Sequence, residues 1–108
     1  MRLKDDSIQL LNLQPQILLG LFIVDQVMQR HGHEAIITCG SEGKHSYASL
    51  HYAGSAVDLR SNCFANKQQV FAECKTALGK SSDFDMILEN KGDINEHWHL
   101  EWQPKYRQ

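Results

Sequence analysis

Two short stretches of this sequence concentrate side chains that can bind a metal or move a proton. They are Ser49-Leu50-His51-Tyr52-Ala53-Gly54-Ser55-Ala56-Val57-Asp58 and Glu96-His97-Trp98-His99-Leu100-Glu101. A catalytic zinc takes three nitrogen or oxygen ligands and keeps one position open, and its charge lowers the pKa of a bound water to about 7. Two imidazoles and one carboxylate leave enough positive charge on the ion for that purpose. His51, Asp58 and His99 can supply such a set, with Glu96 left over to accept a proton from the attacking water. Spacing alone does not choose His99 over His97. Asp93, which also precedes His99, competes with Glu96, and the pattern is not the helical His-Glu-x-x-His motif.

These residues need elements to position them. Pro15, a favoured first-turn residue, opens a helix that runs to Gly32, with Ile17, Leu21, Val24 and Met28, and Leu18 alongside, forming a core-facing stripe. Ala35-Ile36-Ile37-Thr38 reads as a short buried strand. From 39 to 54 the chain is rich in Gly, Ser, His and Tyr without periodicity, a long loop of the kind that carries function in a small domain. Ala56–Arg60 returns to strand character. A second helix is expected over 66–78, with Val70, Phe71, Cys74, Ala77 and Leu78 facing inward and Gly79 stopping it.

Phe84–Glu89 reads as a strand, followed by a turn at Asn90-Lys91-Gly92-Asp93. In the last strand, His97–Trp102, Trp98, Leu100 and Trp102 point to one face while His97, His99 and Glu101 point to the other. The aromatic face must be core. Glu101 on the polar face either orients a histidine or is simply solvated. Arg60, two residues past Asp58, is read as an ion-pairing residue rather than a substrate contact, and His31 and His33 are assigned no role. The whole predicts one α+β domain over residues 1–108, helices packed on a mostly antiparallel sheet.

Composition narrows the function classes. A chain of 108 residues is one ordinary domain. Eleven Lys and Arg against 13 Asp and Glu leave a formal net charge of −2, which argues against a nucleic-acid partner. The longest apolar run, 17–24, falls well short of the about 20 residues that a membrane span needs. Met1-Arg2-Leu3-Lys4-Asp5-Asp6 places acids where a signal peptide wants apolar residues, so cytoplasmic synthesis without an export signal is expected. Cys39, Cys63 and Cys74 are odd in number and contain no Cys-x-x-Cys, which fits reduced core thiols rather than a disulfide framework or a thiolate zinc site.

Ser49-x-His51-x-x-Gly54-x-Ala56-x-Asp58, followed by Glu96-x-x-His99, resembles the zinc peptidases of the D-Ala-D-Ala carboxypeptidase, dipeptidase and L-Ala-D-Glu peptidase family. The wider group includes lysostaphin-like enzymes and the hedgehog signalling domain. The likeness runs from about Ile36 to Trp102. It implies a hedgehog-like α+β fold, a zinc ion on His51, Asp58 and His99, Glu96 as general base, and His97 assisting the transition state. It also implies a peptidoglycan stem peptide as substrate and a monomeric phage or prophage lysis enzyme, an endolysin released to the cell wall. A catalytically silent, zinc-stabilised binding domain of the same fold is the alternative. Ser49 is placed to contact the substrate backbone. Many relatives carry an arginine after a Ser-Gly pair upstream of the first ligand; Thr38-Cys39-Gly40-Ser41-Glu42-Gly43-Lys44 has none, which makes Lys44 the nearest candidate to bind substrate.

Overall fold

The computed structural model describes residues 1–42, 54–61, 65–79 and 83–103. Their elements run β1 (Arg2–Leu3), α1 (Pro15–Arg30), β2 (Ile36–Cys39), β3 (Ala56–Arg60), α2 (Lys67–Leu78), β4 (Phe84–Glu89) and β5 (His97–Trp102). The five strands form one sheet in the order β1-β2-β3-β5-β4. Every pairing is antiparallel except β1 with β2, so the sheet is mixed and the fold class is α+β. The two-residue β1 carries no sequence signal of its own. It is held by its backbone, with Arg2 N–H donating to the Ala35 carbonyl and Lys4 N–H to that of Ile37.

Both helices lie on one side of the sheet, because only that side is apolar. Ile17, Leu21, Val24 and Met28 of α1 are buried with Val57 and Leu59 of β3, Met86 of β4, and Trp98 and Leu100 of β5. Helix α2 buries Val70, Cys74 and Leu78, and Phe71 meets Trp98 with ring centroids 5.5 Å apart. Two expected core positions fall outside: Leu18 is 47% exposed and Ala77 is also on the surface. The stripe of α1 turns toward Val27 instead of Leu18, because the buried side runs between α2 and β5. Gly20 permits that approach, since a Cβ there would sit 2.7 Å from the Phe84 ring.

Gly54 leads into β3 with φ +74°, and a Cβ on it would lie 2.1 Å from the Asn12 carbonyl oxygen. Its own carbonyl accepts the Gln14 N–H at 2.8 Å, tying the start of β3 to the start of α1. The glycine of the sequence motif thus answers to a packing constraint. Gly54→Ala combines a left-handed backbone with a backbone clash and should destabilise the fold by about 1–3 kcal/mol or more, read from the midpoint of chemical denaturation. An unchanged midpoint would refute the constraint.

Candidate metal centre

The face of the sheet opposite the helices carries the chemistry. Strands β3 and β5 pair in continuous register, Ala56 with Glu101, Asp58 with His99 and Arg60 with His97. Directly opposed residues on one face hold their Cβ atoms about 4.5–5.5 Å apart, so the register itself makes Asp58 and His99 neighbours. Asp58 Oδ1 lies 2.9 Å from His99 Nδ1. On the other side of β5, Glu89 of β4 pairs with His97 in register. Glu89 Oε1 stands 3.6 Å from His99 Nδ1 and 3.0 Å from His97 Nε2. Asp58, Glu89 and His99 each present one ligand atom, all within 4.8 Å of one another.

The donor set fits a divalent ion that accepts nitrogen and oxygen. Tetrahedral zinc with ligand bonds of about 2.0–2.1 Å spaces its ligands about 3.3 Å apart, between the 2.9 and 3.6 Å seen here. His99 turns Nδ1 toward this cluster and Nε2 toward Glu101, whose Oε1 is 3.3 Å away. A ligating imidazole commonly donates its second N–H to a carboxylate in this way, which fixes its orientation and raises its basicity. The Asp58 hydrogen bond raises the His99 pKa above its ordinary value; burial opposes this, and the charges of Asp58, Glu89 and Glu101 add to it. A cluster that holds a proton so firmly also attracts a metal cation. Cys39 is paired with Asp58 across β2 and β3, and burial and the Asp58 charge push its thiol up to about 12. Burial does the same to Cys74.

Glu96 does not join the Asp58, Glu89 and His99 group. It is 4% exposed and immediately precedes β5. Lys67 Nζ donates to both carboxylate oxygens at 3.0 and 2.9 Å, Ser61 Oγ–H donates at 2.8 Å, and the Gly92 N–H donates at 3.2 Å. Lys67, with Gly92 and Ser61 assisting, lowers its pKa to about 2. So weak a base, with its lone pairs already occupied, is poorly suited to taking a proton from water. The Asp93 carboxylate accepts the Asn95 N–H within the exposed turn.

His97 lies on the site face between Glu89 and Asp58, whose Oδ2 is 3.6 Å away, and its Nδ1 faces the Asn95 carbonyl at 2.7 Å. His51, Ser49 and Lys44 lie outside the described residues. The sequence reading missed Glu89, although period-two alternation in β4 already sets it opposite Met86. Only the hairpin register brings it to the histidines. His31 and His33 do have partners: His31 pairs with Glu73 and, like His33, meets Asn66, joining the two helices.

A scan against protein-family models finds no match, and neither curated proteins nor solved structures match the chain. Among the described residues no helix is long and apolar enough to cross a membrane.

The Glu96–Lys67 pair has a consequence in acid. A carboxyl with a lowered folded-state pKa contributes stability above its unfolded value and loses it as pH falls toward the folded one. Here that window runs from 4.5 down to about 2. Lys67→Met should be less stable at neutral pH and should lose less stability than wild type across that window, followed as Tm against pH. Acid limbs of equal depth would refute the pairing.

Proposed function

We propose that this protein is a zinc-dependent peptidase with a fold like that of the hedgehog and D-Ala-D-Ala peptidase group, acting on peptidoglycan stem peptides at D-Ala-D-Ala or L-Ala-D-Glu. The observation that carries the reading is the opposition of Asp58 and His99 across β3 and β5, with the Glu89 carboxylate beside them. The sequence resemblance independently selects the same aspartate and histidine and adds His51. In this reading Asp58, His99 and His51 hold the ion. Bound there, zinc would polarise the scissile carbonyl and acidify the attacking water.

Glu89 takes the proton from that water, because Glu96 is occupied by Lys67, while Glu89 is half exposed and stands beside both histidines. The proton then passes to the leaving amine. His97 supports the developing oxyanion, and Glu101 keeps His99 oriented. Ser49 and Lys44 serve as substrate contacts. A lytic role for a phage or prophage, at the cell wall, is the setting that best suits the substrate class.

The second reading is a zinc-stabilised binding domain without turnover. Sequestration of Glu96, the residue to which the resemblance gives the base role, favours it.

The protein should bind about one zinc per chain, and Asp58→Ala or His99→Ala should lose most of it. Affinity should rise with pH, because His99 must shed a proton whose binding Asp58 strengthens. Equal zinc content in wild type and both variants would defeat the site. Zinc-loaded protein should release a fragment from purified muropeptides, identified by mass spectrometry; no release with full zinc occupancy selects the binding-domain reading.

Glu89→Gln should keep the zinc and lower kcat/KM by about 100-fold or more. Glu96→Gln should chiefly cost stability. The opposite pattern returns the proton-transfer role to Glu96, and zinc lost with Glu89→Gln makes Glu89 a ligand.

A further inference from the structure

The helix layer presents an uncharged outer face. From Pro15 to Gln29 the one charged residue of α1 is Asp25, and it is buried, bound to Gln29 and to the Ala35 N–H. Leu19 and Phe22 are each 56% exposed and Leu18 is 47% exposed, while the polar residues turned outward beside them are glutamines. Leu18 and Leu19 stand four and three residues before Phe22, so the three side chains adjoin on the helix surface. Helix α2, in the same layer, instead turns Gln68, Lys75 and Thr76 to water. A contiguous apolar patch on a solvent face marks an interaction surface.

The face also has a shape. A hollow of about 250 Å³ opens beside Phe22 between the two helices, walled by Phe22, Ile23, Gln26, Val27, Arg30 and Ala77. The projecting leucines lie in the first half of α1 and the hollow beside the second, with Phe22 at the middle of Pro15–Arg30. Turning a second copy about a two-fold axis at Phe22 sets the leucines of each copy over the hollow of the other. That antiparallel arrangement also keeps the two Arg30 residues about 24 Å apart along the helices, beyond the reach of screened charge. A parallel one would bring them together.

We infer that the outer face of α1 is a homodimer interface, where two copies of this chain pair antiparallel about Phe22. The chemistry of the face selects a second copy over other occupants. It offers no charge to an acidic or basic partner, and it meets an identical face without like-charge repulsion. A helix that lies on an anionic membrane carries Lys and Arg along its polar face, whereas α1 offers glutamines and Arg30.

Two helices of this length cover roughly 400 Å² on each copy, about half of what a standard stable interface buries per partner. The dimer is therefore weak and reversible, with a Kd on the order of 100 µM. The helices and the Asp58–His99 cluster occupy opposite sides of the sheet, so both clusters stay open in the pair. The pairing does not depend on the peptidase reading, and it departs from the monomer that the family resemblance implies.

The test is sedimentation equilibrium of the full chain from about 10 µM to about 1 mM, with chelator and reductant present so that neither metal nor disulfide links the copies. Wild type should pass from monomer toward dimer across that range. Phe22→Glu and Phe22→Lys each set two like charges at the axis and should weaken association by about 10-fold or more. Their equimolar mixture should associate more tightly than either variant alone, since unlike charges then meet. Leu19→Gln, which adds no charge, should weaken association in the same direction. Ile94→Glu, at an 87% exposed position in the turn before β5, should leave it unchanged. Thermal unfolding checks that each variant keeps the fold.

A monomer at every concentration overturns the inference. So does a dimer that Phe22→Glu leaves intact, or a mixture no tighter than its components. Wild type that stays monomeric and sediments with phosphatidylglycerol vesicles gives the face to a lipid surface instead.

Discussion

The continuous antiparallel register of β3 against β5 is the constraint on which everything else depends. Five consecutive pairs, from Ala56 with Glu101 to Arg60 with His97, lock two strands whose alternate residues differ completely in character. Val57, Leu59, Trp98 and Leu100 are buried, and Asp58, Arg60, His97, His99 and Glu101 face the other way. A slip of one residue would put either Asp58 into the core or the imidazoles into the core and Trp98 into water, so burial of the aromatic face enforces the chemical one. The stability of the sheet and the geometry of the site are thus set by the same pairing.

Glu89 and Glu96 show how environment separates two identical side chains. Glu96 is inside, and an ion taken out of water needs a partner and further hydrogen bonds; Lys67, Ser61 and Gly92 supply them. The outcome is a tightly held, weakly basic carboxylate that joins the start of α2 to the start of β5. Glu89 keeps its access to water and stands over the two histidines. One acid anchors the scaffold and the other stays open to solvent.

Charge also changes along the open face. Around His99 it is dominated by Asp58, Glu89 and Glu101, a setting for a cation. One pleat further along β3, Arg60 and Lys4 reverse the sign, a setting for an anion.

Much of this architecture is legible in the chain because it is local. Pro15 and the Ile17-Leu21-Val24-Met28 stripe mark α1, Gly79 closes α2, and the alternation from His97 to Trp102 separates core from site within one strand. Asp58 and the His97 and His99 pair are likewise recognisable by type, and the family resemblance singles out His99. Other features depend on contacts between distant segments. Strand β1 exists only through its bonds to the segment around β2, and Leu18 is left outside by the direction from which the sheet meets α1. Glu89 joins the histidines through a hairpin register that no local signal reveals, and the Glu96 carboxylate is held by a lysine 29 residues earlier. By itself the sequence determined which side chains share a face of each element, since that follows from the backbone period. Only the tertiary structure decided which faces meet, because that is settled by burial and charge pairing across the whole fold.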